Sequence, residues 1–192
     1  MRTKLRLLPA GATALALGLA GCGEDSATPS APRVTGNGID RAFVSEMIPH
    51  HRSAVEMAEL AERYSDRPQI RRLADAIVAT QNTEIRQMRG LDGRLADAGI
   101  ARRRLGMGAH AMGTHNDPSQ LREAEPFDRE FLDMMIPHHE GAIRMAQVQL
   151  ERGRNPTVRR LAEAIVDAQT AEINQMHTWR IQWFGVTGHE HH

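Results

Sequence analysis

A repeat with an offset of 88 residues dominates this sequence. Residues 40–88 match residues 128–176 at 24 of 49 positions without a gap, and the pentapeptide MIPHH occurs at 47–51 and again at 135–139. A match of this length indicates a duplicated unit, and one such unit cannot bury its apolar face alone. The chain is therefore expected to pack two copies of one small structure around a shared core.

Each copy has the residue spacing of two helices joined by a turn. In the first copy, apolar residues recur every three or four positions over residues 43–61 and again over residues 70–88, which places them on one face of a helix. The pattern breaks at Ser65–Pro68 and at Gly153–Pro156, where turns are expected. Each copy is thus predicted to be a helical hairpin.

Two hairpins predict an all-α fold, a four-helix bundle spanning residues 39–186 with a long crossover connection at 90–127. Asp40 and Asp128 are the expected N-caps of the first helix in each copy. A short final helix around Met176–Phe184 is expected to cover one end of the bundle with its tryptophans.

The N-terminal segment is typical of an exported lipoprotein. Residues 1–22 combine a basic start, an apolar stretch and small residues, and they end in Leu-Ala-Gly-Cys, which resembles a bacterial lipobox. Cys22 is the only cysteine, so internal disulfides and zinc–thiolate clusters are excluded. Residues 23–38 are rich in small residues and proline and form the expected tether. We expect a protein outside the cytoplasm, held on a bacterial membrane by lipid on Cys22.

Composition and missing motifs exclude several function classes. Acidic and basic residues balance at 24 each and only 4% of residues are aromatic, which argues against nucleic-acid binding. The chain has no Gly-x-Ser-x-Gly, no phosphate-binding loop and no Glu-x-x-His helix motif of a di-iron site. An enzymatic role is therefore less expected than a binding role.

Polar and thioether side chains lie on the apolar helix faces of both copies. Buried imidazoles and carboxylates are costly unless they are paired or coordinate a metal. Imidazole combined with thioether favours copper over magnesium or calcium, whereas the alternative is a structural network of His–Glu pairs among core methionines. The candidate ligands are Met47, His50, His51, Met57, Glu84 and Met88 in the first copy, and Met135, His138, His139, Met145, Glu172 and Met176 in the second.

The proline before each histidine pair is a backbone irregularity. Pro49 either kinks its helix or begins it. Successive helical residues point about 100° apart, so His50 and His51 are not expected to serve one ion equally. One imidazole could be a ligand while the other orients it or caps a carbonyl.

Further histidines and methionines lie outside the repeats. The connection holds a glycine-rich set of weaker candidate ligands, Met107, His110, Met112 and His115. The tail at 187–192 carries His189, His191 and His192, which could bind a divalent metal weakly, and we give it no role.

The duplicated MIPHH, followed by A-[VI]-x-M-A and a second helix ending in E-I-x-Q-M, resembles the bacterial domain-of-unknown-function 305 family over about residues 38–186. The resemblance implies a ferritin-like bundle, export and a copper-handling role, with His50, His51, His138 and His139 at the motif positions. The copies differ after the motif, with Arg-Ser at 52–53 and Glu-Gly at 140–141.

The expected function is non-enzymatic copper sequestration or delivery outside the cytoplasm, with the metal ion and the membrane as partners. One alternative is an interaction module of the cell envelope whose His–Glu pairs fix the helix register without metal. Another is a redox enzyme that uses a bound metal on oxygen or peroxide.

Overall fold

The computed structural model describes residues 34–114 and 117–185, and all the regular secondary structure in this part of the chain is helical. The predicted all-α fold is confirmed. The residues of the predicted signal segment and lipobox with Cys22, residues 23–33 of the predicted tether, His115 and the tail from 186 lie outside the described residues. The long helices are α1 (Gly38–Tyr64), α2 (Pro68–Asp97), α3 (Phe127–Arg152) and α4 (Pro156–Phe184), with a 3₁₀ helix at Pro118–Glu123.

The four long helices form a bundle of two hairpins. Helix α1 packs along α2, α3 packs along α4, and the hairpins meet along α1 and α3. The apolar faces bury two clusters. The first core cluster joins the beginning of α1, the end of α2, the end of α3 and the beginning of α4. The second joins the opposite halves of α1, α2 and α3 with Met176 of α4. The antiparallel packing of α1 and α3 therefore defines two ends of the bundle.

The beginning of α1 is fixed by a capping box, but the predicted cap residue is wrong. Asn37 is the N-cap and accepts bonds from the amides of Ile39 and Asp40, while the Asp40 carboxylate accepts from the Asn37 amide. Asp40 is thus the third helical residue. Asp128 does not cap α3 either, because Pro126 occupies the N-cap position.

Two predicted boundaries also need correction. Helix α2 continues to Asp97, past the predicted start of the connection, because Leu91 and Leu95 extend its buried face. Helix α4 runs uninterrupted to Phe184, so residues 176–184 are the end of α4 and not a separate helix. Its tryptophans nevertheless pack against the second core cluster as expected.

Both helices that carry MIPHH continue past their internal prolines. The alternative in which α1 begins at Pro49 is therefore wrong. Pro68 and Pro156, by contrast, occupy the first position of α2 and α4, where the missing N–H costs nothing. None of the helices in the described part of the chain has the length and apolar character needed to cross a bilayer.

Candidate metal centre

His50 and His138 face each other where the two hairpins meet. Their ring centroids lie 3.9 Å apart with a 43° angle between the ring planes. Both side chains are buried, at 3% and 2% exposure. The two histidines are 88 residues apart, which is the offset of the repeat, so they occupy equivalent positions of α1 and α3.

The neighbouring histidines have different partners, as the 100° helical rotation predicts. His51 donates from Nε2 to the Glu84 carboxylate at 2.7 Å, and His139 donates to Glu172 at the same distance. Each of these pairs lies within one hairpin. The His–Glu pairing of the structural alternative is therefore present for His51 and His139, and it leaves His50 and His138 as a separate pair.

The buried imidazoles retain unpartnered nitrogens. Within the described residues, the Nδ1 atoms of all four motif histidines and the Nε2 atom of His138 have no hydrogen-bond partner. His50 donates from Nε2 to the carbonyl of Met112 at 2.7 Å, which leaves a lone pair on its Nδ1. Unpartnered buried nitrogen atoms are costly, and lone pairs of this kind are what a metal ion requires.

Burial keeps the facing imidazoles neutral at neutral pH. It lowers the pKa of His50 to about 3. The hydrogen bond to Met112 raises this pKa, whereas the neighbouring His51 and His139 lower it further. Burial also lowers the pKa of His138 well below 6.5, aided by the charges that its three neighbouring histidines can carry. Neutral imidazole is the form that binds metal.

We expect the metal-free protein to become less stable as the pH falls below 6.5. Both histidines have a lower pKa in the folded than in the unfolded state, so unfolding takes up protons. Each should lower the free energy of unfolding by up to about 1.4 kcal/mol per pH unit. For His50 this stabilisation is complete above pH 6.5 and lost as the pH approaches about 3.

Urea unfolding at about pH 7, 6 and 5 measures this dependence, in a range where most carboxylates remain ionised. A His50→Leu/His138→Leu variant is the control and should show a flatter profile. An equally steep profile in the variant would contradict this assignment.

The nine methionines of the bundle are divided between its two ends. Met47, Met88 and Met145 lie in the first core cluster, against which the partly buried Met107 and Met112 also pack. The second core cluster contains Met135, Met176 and Met57, which lie 88 positions from Met47, Met88 and Met145 respectively. It also contains Met134, whose equivalent in the first copy is Glu46.

The connection between the hairpins passes over the histidine pair. We call its residues 105–114 the strap. Besides the bond from His50 to Met112, the strap receives a hydrogen bond from Arg144 Nε to the carbonyl of Ala111 at 2.7 Å. Leu105 in turn donates its amide to Glu46. The strap is thus attached to both central helices.

Two glycines let the strap backbone touch α3. A Cβ atom on Gly141 would lie 1.8 Å from the Met112 carbonyl oxygen, and one on Gly113 would lie 2.2 Å from the Pro137 oxygen. Gly113 also has a φ of 69°, which favours glycine. The strap contacts the second copy at this point and leaves no room for a side chain at position 141. This contact explains why residue 141 is glycine although the equivalent residue of the first copy is Ser53.

A family model described as "Domain of unknown function (DUF305)" matches residues 25–92 and 40–180. The chain belongs to the DUF305 family. Among curated proteins, it is 39% identical to uncharacterized protein L153 of Acanthamoeba polyphaga mimivirus over 51 residues, 27% of this chain and 34% of that protein. The DUF305 chain thus spans about a third of that relative's length.

Solved structures match nearly the whole bundle. CopM in its Cu(I)-bound form is 34% identical, with a TM-score of 0.63, over 76% of this DUF305 chain and 98% of CopM. CopM in its Cu(II)-bound form is 33% identical, with a TM-score of 0.66, over 76% and 97%. A Streptomyces coelicolor DUF305 protein, provisionally described as secreted, is 28% identical, with a TM-score of 0.68, over 81% and 98%.

The structure brings together only part of the predicted ligand set. In the described part of this DUF305 chain, no group of three or more His, Cys, Asp or Glu residues has a metal-binding arrangement. Among these residue types, His50 and His138 thus face each other as a pair. Of the weaker candidates, Met107 and Met112 pack on the core, whereas His110 is exposed on the strap.

Sequence reasoning missed the residues that hold the strap. Arg144 and Gly141 lie within the second copy, and their roles depend on contacts with a segment about thirty residues away in the chain. The one available signal was the glycine at 141, where the first copy has serine. Gln81, which the residue spacing places on the inward face of α2, is buried one turn before Glu84, and Gln169 is buried at the equivalent position of α4.

Proposed function

We propose that this protein binds copper outside the cytoplasm, to sequester or deliver it, while lipid on Cys22 holds it on a membrane. One observation carries the copper part of the proposal, namely the facing, neutral imidazoles of His50 and His138 with unpartnered nitrogens. The structures of CopM with Cu(I), Cu(II) and Ag support it from outside this chain. The secretory segment and the described Streptomyces relative support export.

The donor chemistry fits a soft ion. Along α1 the histidines lie between Met47 and Met57, and along α3 they lie between Met135 and Met145. Each of these helices thus has a methionine of the first core cluster on one side of its histidines and a methionine of the second core cluster on the other side. Cu(I) accepts imidazole nitrogen together with thioether sulfur, whereas magnesium and calcium require oxygen ligands. His50 and His138 are the residues that would hold copper, with neighbouring methionines completing its coordination.

The His–Glu pairs have a supporting role in this proposal. His51 and His139 already donate to glutamates, which fixes their rings and the spacing of the two helices in each hairpin. They flank the candidate ligands, at ring-centroid distances of 6.4 and 6.3 Å from His50 and His138 respectively.

Competitive titration with Cu(I) and Cu(II), separately, tests the proposal. The fragment 33–185 is suitable because it holds all the helices but neither Cys22 nor the C-terminal histidines. We expect stoichiometric Cu(I) binding, and a loss of at least about a hundredfold in affinity, or about 2.7 kcal/mol, in His50→Leu/His138→Leu. Leucine fills the vacated volume and removes buried unpartnered nitrogens, so the variant should remain folded.

A Met107→Leu/Met112→Leu variant is the matched control for thioethers on the strap, and a smaller loss is expected. Copper affinity unchanged in the histidine variant, or absent in the wild type, would overturn the proposal and favour an interaction module. Turnover with a reductant and oxygen would instead indicate a redox enzyme.

A further inference from the structure

A groove between α2 and α4 is lined by arginines and contains no carboxylate. Arg86 and Arg94 of α2 and Arg160 of α4 are exposed around it, and the largely buried Leu91 and Leu161 lie beneath. Its volume is about 540 Å³. The groove lies over the first core cluster, to which both leucines belong.

The three arginines are not neutralised. Arg86 donates to the hydroxyl of Thr83 and Arg160 to that of Thr157. In the described residues, no ion pair joins any of the three to a carboxylate. Thr157 lies in the first turn of α4, whose N-terminus adds a partial positive charge, whereas Arg94 lies in the last turn of α2, whose C-terminus adds a partial negative charge. The positive potential of the groove therefore comes from its three guanidinium groups.

The groove belongs to the basic end of the bundle. Residues 86–104 contain six arginines and two aspartates, whereas residues 117–133 contain two arginines and six acidic residues. Contacts place these segments at opposite ends. Arg103 bonds to Gly38 at the beginning of α1, whereas Asp128 pairs with Arg67 just beyond the end of α1. The neutral overall charge therefore conceals a strong separation of charge along the bundle.

The chain that leads to the proposed anchor enters the bundle at the same place. Val34 is the first described residue, and it lines a small hollow together with Arg94, Asp97 and Ala98 of α2. Arg94 is shared between this hollow and the groove. A tether that begins at lipidated Cys22 would reach the bundle beside Arg94, which leaves the arginine side free to lie against the membrane that holds the lipid.

We propose that the α2–α4 groove docks on the surface of a bilayer that contains anionic phospholipid. Guanidinium groups bind phosphate through paired hydrogen bonds, and basic clusters near a membrane gain affinity from its negative surface potential. This inference rests on the proposed lipid anchor for the orientation of the bundle. Docking would fix that orientation and leave the acidic end facing away from the lipid.

Vesicle sedimentation with fragment 33–185 tests the docking. The fragment lacks Cys22, and solved family structures match this same bundle over nearly their whole length, so it folds on its own. Binding is measured to vesicles of phosphatidylglycerol with phosphatidylcholine, and to phosphatidylcholine alone. We expect binding to the anionic vesicles only, reduced by high salt. Each arginine near an anionic surface should raise the partition coefficient about fivefold. The triple variant Arg86→Gln/Arg94→Gln/Arg160→Gln should therefore bind the anionic vesicles about a hundredfold more weakly.

The matched control is Arg63→Gln/Arg72→Gln/Arg122→Gln, which removes the same charge from exposed arginines elsewhere. It should bind nearly as the wild type does. No preference for anionic vesicles, or an equal loss in both variants, would overturn the proposal, as would binding of an acidic peptide without vesicle binding. Copper titration of the groove variant is run in parallel and should be unchanged, so failure of docking is distinguishable from failure of the copper proposal.

Discussion

We expect Asp40→Asn to lower the free energy of unfolding by about 4 kcal/mol, because it disrupts a fully buried carboxylate that joins both hairpins. Asp40 accepts hydrogen bonds from the Gln149 side chain at 2.6 Å and from the amides of Asn37, Arg154 and Asn155. All four partners are donors. An asparagine must turn its NH₂ group toward some of them, whichever way the amide is oriented.

Urea or thermal unfolding measures this effect, and the melting temperature should fall by about 10 °C. Asp128→Asn is the matched control, since Asp128 holds the equivalent position in the second copy. Its Oδ1 has no partner in the described residues, and its Oδ2 lies 3.4 Å from a partly exposed Arg67 nitrogen. The control should change stability by less than about 1 kcal/mol. Similar losses in both variants would contradict this account.

We expect Gly141→Ala to displace the strap and to lower the free energy of unfolding by about 3 kcal/mol. The added methyl group would lie 1.8 Å from the Met112 carbonyl oxygen, so either the strap or α3 must move. Moving the strap also removes the hydrogen bond that Met112 accepts from His50. The variant should therefore change the environment of the proposed copper site as well as stability.

Unfolding measurements and the NMR chemical shifts of the His50 ring report the two effects. Ser53→Ala is the control at the equivalent position of the first copy, where a Cβ atom is already present. We expect it to alter stability by less than about 0.5 kcal/mol. Unchanged stability and unchanged His50 shifts in Gly141→Ala would show that the strap does not rest on α3 in solution.

These expectations share one theme, which is that equivalent positions of the two copies have different surroundings. Gln149 bonds to Asp40, but the first copy has Ala61 at its place, which offers no donor to Asp128. The strap passes over Gly141, whereas the equivalent residue of the first copy is Ser53, which carries a Cβ atom. Sites with the same ligand types in both copies can therefore differ in affinity and access.

Much of the fold could be predicted from the sequence because helical periodicity is a local property. The apolar spacing over 43–61 and 70–88 predicted the inward faces of α1 and α2, and the turn prolines predicted where α2 and α4 begin. Boundaries were less accurate. The end of α2 was placed too early, because its continuation depends on Leu91 and Leu95 packing at the far end of the bundle.

The candidate site was predictable only in part, for a related reason. The sequence indicated that His50, His51 and Glu84 share the inward side of one hairpin, and the His51–Glu84 pair follows from that placement. It did not indicate that His50 would meet His138 rather than a glutamate. That contact depends on how the hairpins pack, and the two residues are 88 positions apart.

The sequence by itself determined that this chain forms helices with imidazoles and thioethers on their buried faces, because 3.6-residue periodicity and residue chemistry are local. Only the tertiary structure decided which imidazoles face each other, how the methionines divide between the two ends, and where the strap lies. The bond between His50 and Met112 spans 62 positions. Such contacts form when separate apolar faces are buried against one another, and the spacing within a single helix does not encode them.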